Sequence, residues 1–584
     1  MKNGRLNQNG DSAEQDRSEA DLGRESLAAW KESQPDNFFA YDLGFQRSLE
    51  FLWGRDTYKQ HAGRLFRFGS LLASTVDGLV EEASRDQNQP RLERYDPIGE
   101  RIERVIYHPA HHDAGRMIFD SGMMSVFAEP GNNLLALAMF YLSAQNGEAG
   151  HNCSLACTAG MIKVLQAVGS DKLKRRYLPH LLDSNYDTLY QGAQFLTEIQ
   201  GGSDVGANAM LAKPLEIEKG LWLLSGEKWF CSNISADLAL VTARVADQGS
   251  GTRGLGLFLM PRGLENGQPN AIRINRLKEK LGTRGLATAE VEFQGALAHQ
   301  LGPLDQGFKN LMTFVINTSR VYNALAVCGA ARRVYITAKT FAQNRRAFGQ
   351  AIIHYPLVQD TLANMRADSS AILAGSLHIV NLVDKLELGD AGNQARDFLR
   401  LAINLNKYRS AILTREIIAQ GIELLGGNGT IESFSILPRL LRDNFVYENW
   451  EGTHNVLLAQ VQRDIRRYQI SEPFLLAIES MFLGIEEESL RVPGLEEQAK
   501  TKNELTEVLA MDELTAAIFF RPLMNRITDL YYAACLAAEG EWELREKKDG
   551  TKLRLAKLFF DKRVLGREPK DIPYYDDQVS RLCH

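Results

Sequence analysis

What this 584-residue sequence has little of narrows what it can be. Six scattered cysteines cannot build a disulfide framework and suit a reducing, cytoplasmic compartment. The longest apolar stretch, NNLLALAMFYLSA at residues 132–144, falls short of the ~20 residues of a bilayer span. The N-terminus holds no apolar h-region, so no secretory signal is expected. The closing RLCH is neither a lipidation nor a peroxisomal signal. Lys and Arg total 67 against 73 Asp and Glu, a net charge of −6, which gives no general attraction to nucleic acid or anionic membrane. No G-x-x-x-x-G-K-[ST] loop is present, and no G-x-G-x-x-G stands between a strand and a helix; both absences argue against the common nucleotide-loop enzymes. No metal is expected: His151, Cys153 and Cys157 lack a second paired cluster, and the two thiols read as small buried side chains.

The composition is that of a globular protein, 44% apolar and 24% charged, and the length suggests roughly three or four domains. Residues 1–35 are polar and predict a tail or loosely docked arm. Residues 36–190 read as a helical domain, with Leu71, Leu72, Val76, Leu79 and Val80 on one face. Residues 191–299 change texture. LWLLSGEKWFCSN, LALVTAR, LGLFLMP, IRINRL and ATAEVEFQG are candidate strands, and Ala289, Val291 and Phe293 alternate with Glu290 and Glu292. Strands with no helices between them predict an antiparallel barrel or sandwich. Residues 300–468 carry long apolar stripes, such as Phe308, Leu311, Val315, Tyr322 and Leu325, with a helix stop at Gly426 and Gly427. They predict an antiparallel helical bundle. Residues 469–584 read as a helical extension broken at Pro493, Gly494 and Gly550. The fold class is α+β, mainly α.

Three segments carry chemistry. In LTEIQGGSDVGAN (196–208), two glycines followed by Ser203 and Asp204 let backbone N–H groups approach an anion closely, although a tight loop capped by Asp204 has the same pattern. In GEKWFCSN (226–233), Trp229 and Phe230 stand beside Ser232 near a strand end; an aromatic wall with one hydroxyl suits a planar heterocycle, and equally a hairpin core. In LRDNFVYENWEGTHN (441–455), Glu451 lies between Trp450 and Gly452-Thr453. A carboxylate beside a large aromatic is desolvated, which raises its pKa and improves it as a base near neutral pH. Glu448 is the alternative carboxylate.

Together, in this order, the segments resemble the acyl-CoA dehydrogenase flavoprotein family. The resemblance is close over residues 190–468 and looser before them. Its carriers are Thr197-Glu198, Gly202-Ser203-Asp204-Val205, Gly226-Glu227-Lys228, Glu279-Lys280-Leu281-Gly282, Arg345-Arg346-Ala347-Phe348-Gly349, Leu425-Gly426-Gly427-Asn428-Gly429, Arg442-Asp443 and Glu451-Gly452-Thr453. RYDPIGERIERVIYHPAHH (94–112), GGSDV after Glu-Ile-Gln, NAIRINRLKEKLG and the long C-terminal extension resemble the family's AidB-like branch.

The resemblance implies FAD between the β-domain and the bundle. Thr197 matches a contact at the flavin's pyrimidine edge, Leu196 is a further expected FAD contact, and Gly202 and Ser203 match the pyrophosphate site. Phe230 would face the isoalloxazine with Ser232 near N5, where the family usually has Trp and Thr. Arg345, Phe348, Glu423 and Gly427 match residues that clasp the AMP half, partly from a neighbouring subunit; Glu423 replaces a common glutamine. Thr453 and Asn455 match further FAD contacts. Glu451 matches the base that takes the α-proton of an acyl-CoA while the β-hydrogen leaves as hydride to flavin N5. The other base position known in the family, before Arg320, holds Ser319. Ser203, Arg320 and Trp450 are the expected substrate contacts. The resemblance also implies a homotetramer and an electron-transfer flavoprotein as acceptor. Two other readings are an acyl-CoA oxidase, since those relatives also carry extra C-terminal helices, and a DNA-associated alkylation-response role. Residues 541–570 hold ten Lys/Arg against six Asp/Glu, a pattern that a solvated helix face also gives.

Overall fold

The computed structural model describes residues 19–246 and 248–583; the arm expected at residues 1–18 lies outside the described residues. Its remainder is a docked helix, α1 (Glu19–Glu32). Trp30 is the reason. It is 4% exposed, stacks on Phe434 at 5.0 Å, meets Phe341 edge-on and donates Nε1–H to the carbonyl of Thr337. One buried indole outweighs a polar average.

The region after it is helical except for an antiparallel hairpin, β1 (Arg91–Tyr95) and β2 (Arg101–Ile106). The hairpin departs from the all-helical expectation. Its strands are charge-rich and only partly buried, so neither period shows in them. Helix α2 (Asn133–Ala144) is buried at every position, and α3 (Ala149–Val168) is capped by Glu148, whose carboxylate accepts from the N–H groups of Gly150, His151 and Asn152.

Seven strands form the middle layer: β3 (Gly192–Phe195), β4 (Leu211–Glu216), β5 (Leu221–Ser232), β6 (Leu238–Val245), β7 (Leu255–Pro261), β8 (Ile272–Leu277) and β9 (Thr288–Gln300). Their order is β3-β6-β4-β5-β9-β7, with β8 on β9 and β7 also pairing β6. The ring β6–β4–β5–β9–β7–β6 therefore closes into a barrel. Its interior holds Phe195, Trp222, Leu224, Val241, Phe258, Val291 and Phe293. The barrel is not wholly antiparallel, because β6 runs parallel to β3 and β4. The succession β4–β5–β6 runs up, down and up, so closure between β4 and β6 sets them in the same direction. β3, four residues long, is too short to display a period.

The bundle comprises α4 (Asn317–Asn344), α5 (Pro356–Leu388), α6 (Asn393–Leu424), α7 (Leu437–Asn449) and α8 (His454–Tyr468). α5 opens on Pro356 and stops at Gly389, which takes the left-handed conformation. The extension adds α9 (Ser471–Leu483), α10 (Glu488–Ala510), α11 (Glu513–Lys547) and α12 (Thr551–Phe559). Gly550 does separate α11 from α12, but Pro493 and Gly494 lie inside α10. Gly494 serves packing instead: a Cβ there would lie 2.3 Å from the Phe482 ring. The extension shares one continuous core with the bundle. Arg409 of α6 and Asp529 of α11 form a buried two-point ion pair, and Tyr532 donates to Asn406 Oδ1 at 2.7 Å. Among the described residues, no helix is long and apolar enough to cross a membrane.

Candidate active site

The site is built around the turn between α7 and α8. α7 ends at Asn449, Trp450 is extended, and Glu451 has φ +57°, followed by Gly452 at +108°. A glutamate in the left-handed region is strained by about 1–3 kcal/mol and persists only where its surroundings fix it. Two buried cations do so. Arg320 of α4 donates Nε–H to the carbonyl of Glu451 at 2.9 Å and an Nη to Asn404. Lys407 of α6 donates to the carbonyls of Glu448 and Gly452, each at 2.9 Å. The Glu451 carboxyl accepts a 2.7 Å bond on Oε1 from Gln194 Nε2 of β3, which also lies 3.4 Å from Ser319 Oγ. Burial pushes Glu451 up to about 7, against the lowering pull of Arg320, Lys407 and Gln194. Burial likewise pulls Lys407 down to about 7 and Arg320 to about 10. Trp450 packs edge-on to Tyr447 at 5.5 Å. Glu448 is committed elsewhere, to Arg415, Asn444 and His454.

β3 leads from this carboxyl to the glycine loop. Three residues after Gln194 comes Thr197, whose carbonyl accepts the N–H of Trp229 on β5 at 2.9 Å. Leu196 gives its carbonyl to Asn208 and Lys228. The loop is strapped by an ion pair that the motifs contained but did not disclose: Glu198 accepts Lys228 Nζ at 2.8 Å, with Lys228 1% and Glu198 4% exposed. Glu198 also takes the N–H groups of Ala209 and Met210. Burial raises its carboxyl, yet Lys228 and these donors hold it below its ordinary value. Gly202 must lack a side chain, since a Cβ would sit 2.5 Å from Thr197 Oγ1. Gly202, Ser203 and Asp204 face solvent.

On β5, Phe230 leaves 49% of its surface exposed, and Lys278 Nζ stands 3.5 Å from the Trp229 ring centre and 4.8 Å from that of Phe230. Ser232 Oγ lies 3.0 Å from Thr288 Oγ1, which also accepts from Lys280 at 2.8 Å. Burial lowers Lys280 to about 8. The loop after Lys280 presses on α7: a Cβ on Gly282 would meet the Arg442 carbonyl at 2.1 Å, and the N–H of Thr283 donates to Asp443. Thus two motifs 160 residues apart form one contact. An open glycine loop, a half-exposed aromatic ring and a hydroxyl beside it fit a flavin dinucleotide.

Other expected residues lie elsewhere. Arg345 follows α4, and Phe348, 97% exposed with φ +51°, tips a small hairpin. Glu423 and Gly427 are exposed at the end of α6. α4 and α6 run alongside in the same sense, Arg320 touching Asn404 and Val334 lying against Gly421. The step from residue 320 to 345 is therefore ~37 Å of helix, which separates this group from Glu451 within one chain. Thr453 is the N-cap residue of α8, and Asn455 is exposed and accepts from Arg521 of α11, a contribution from the extension that no motif signalled. His111, Glu148 and His151 have ligand atoms within 4.8 Å of one another. The Glu148 oxygens cap α3, however, and the two imidazoles stack at 4.1 Å, so their lone pairs do not converge. In the basic segment, Arg545, Lys547, Lys552, Lys557, Arg563 and Arg567 are in ion pairs.

Comparison with known proteins shows the family. Residues 32–188 match the adaptive response protein AidB N-terminal domain, 193–296 the acyl-CoA dehydrogenase middle domain, and 305–466 the acyl-CoA dehydrogenase C-terminal domain. Acyl-CoA dehydrogenase family member 11 of Caenorhabditis elegans is 32% identical over 76% of this chain and 72% of its own length. AidB of Escherichia coli (strain K12) is 33% identical over 67% and 72%. The crystal structure of C. elegans ACDH-11 in complex with C11-CoA superposes with a TM-score of 0.82 at 28% identity, covering 89% of this chain and 90% of that one. An FAD-complexed acyl-CoA dehydrogenase from Bacillus anthracis shares the fold, with a TM-score of 0.66 at 16% identity over 91% of each chain. With its AidB-type N-terminal domain and long C-terminal extension, the chain belongs to the acyl-CoA dehydrogenase family of FAD-dependent oxidoreductases.

Proposed function

We propose that this protein dehydrogenates an acyl-CoA thioester to the trans-2-enoyl-CoA with Glu451 as the base. The observation that carries the reading is the Glu451 carboxyl, half-buried and poised at about 7 on a turn locked by Arg320 and Lys407. A base with a pKa near the working pH accepts a proton most effectively, and such positioning contributes on the order of 10²–10⁴-fold. Leu196, Thr197, Gly202, Ser203, Phe230, Ser232, Thr453 and Asn455 would hold FAD, which supplies the acceptor for the β-hydride. Trp450 and Ser203 would border the substrate. Arg320, 4% exposed, acts behind the base, on its backbone.

The distance of Arg345, Phe348, Glu423 and Gly427 from Glu451 supports an FAD site completed by a second copy of the chain, in a homotetramer. The C11-CoA bound to the C. elegans neighbour supports an acyl-CoA substrate, and an electron-transfer flavoprotein is proposed as the electron acceptor. The test is a flavin-bleaching screen of the purified protein against acyl-CoAs of increasing length and branching. Bleaching by at least one, abolished in Glu451→Gln with FAD retained, is the expected result; a colourless protein that takes up no flavin rejects the reading. Admission of oxygen afterwards separates dehydrogenase from oxidase by the rate of flavin reoxidation.

A further inference from the structure

Gln194 has no role in the reading above, yet it is the side chain that bonds the Glu451 carboxyl. Its Nε2 lies 2.7 Å from Glu451 Oε1 and 3.4 Å from Ser319 Oγ. Its Oε1 is buried with no partner among the described residues, so the polar attachments of this amide are all on its donor side. The strand that carries it cannot shift. Gly192 donates its N–H to Thr158 Oγ1 at 2.9 Å, accepts Asn233 Nδ2 at 3.1 Å, and lies so near α3 that a Cβ would be 3.0 Å from the Thr158 Cα.

Resting on Glu451 as base, we propose that Gln194 is a positioning residue: its amide occupies Oε1, leaves Oε2 as the oxygen that takes the substrate's proton, and favours the ionised carboxyl. In that step the Cα–H bond breaks, its proton forms an O–H bond at Oε2, and the electron pair stays with the substrate. The bond to Oε1 persists, so the base need not turn to react. The charged and titratable groups that face Glu451 are Arg320 from α4, Lys407 from α6 and the Cys157 thiol from α3. Both cations are tied to backbone carbonyls of the turn. Among the described residues, Gln194 alone donates to the carboxyl itself. A donor to the charged form lowers a carboxyl's pKa, and its loss raises it.

The test needs no substrate. In the FAD-loaded protein, the protonated-carboxyl infrared band that Glu451→Gln removes is followed against pH. Gln194→Leu is expected to move its midpoint up by about one pH unit, with FAD content unchanged and with Tm unchanged below about pH 4.5, where the carboxyl is protonated in either protein. A midpoint unmoved in Gln194→Leu overturns the role given to Gln194. A band that Glu451→Gln leaves intact overturns the assignment of Glu451 instead. Where an acyl-CoA that bleaches the flavin is in hand, the acid limb of kcat/KM moves the same way.

Discussion

At the residue scale, Glu451 combines an unfavourable backbone with an unfavourable side-chain environment, and both serve one atom. Its ordinary pKa of 4.5 rises to about 7 on folding. The folded protein therefore binds a proton between about pH 4.5 and 7 that the unfolded chain has released. Stability is lost as pH rises through that window, and the penalty is complete above about 7. Glu451→Gln, which removes the buried charge, is expected to be more stable than the unmodified protein at pH 8 by roughly 1–3 kcal/mol and equal to it below pH 4.5; denaturant midpoints at the two pH values measure this. The same substitution should abolish flavin reduction by acyl-CoA while FAD stays bound. Turnover within about tenfold of the unmodified enzyme would remove Glu451 from the mechanism.

At the scale of elements, the site exists because helices, a strand and a loop meet at points with no slack. Lys407 of α6 braces two carbonyls of the turn that carries Glu451, the proposed base. Lys407→Met should lower kcat well over tenfold with little change in KM, because substrate contacts survive while the base is misplaced; steady-state kinetics on a bleaching acyl-CoA would decide. Lys228→Met leaves Glu198 as a buried charge without its counter-ion and is expected to cost about 3–5 kcal/mol, with FAD loss preceding global unfolding as the glycine loop frees itself. Gly282→Ala places a Cβ 2.1 Å from the Arg442 carbonyl and should part the barrel loop from α7, read as lowered Tm and FAD retention together.

At the scale of the molecule, two features decide behaviour. The extension and bundle share a core, so Asp529→Ala, which strands the Arg409 guanidinium in it, should destabilise by about 3–5 kcal/mol and leave a single unfolding transition. The second is the separation of the Arg345 group from Glu451. If a second copy completes the FAD site, Arg345→Ala should weaken FAD retention at least tenfold while leaving the Glu451 infrared titration in place, and FAD should be lost on dilution in step with dissociation. Flavin fluorescence alongside sedimentation tests this; an FAD affinity independent of protein concentration rejects it.

The amino-acid order alone made the layers and the chemistry legible, because both rest on local pattern. Short β-type runs between turn residues marked β5 to β9, with period two visible in β9, three-to-four stripes marked the long helices, and Glu451 beside Trp450 marked a carboxylate suited to desolvation. Where pattern was weak, reading failed: β3 is too short, the hairpin at residues 91–106 too charged, and Trp30 a single residue in a polar stretch. Pro493 and Gly494 read as breaks because local propensity was the only guide, whereas contact with Phe482 decides that position. What the tertiary structure alone decided are pairings between distant residues: Gln194 with Glu451, Glu198 with Lys228, Gly282 with Arg442, Arg521 with Asn455. Each is a distance across space between residues far apart in sequence, and the chain encodes it only through the packing of everything between them.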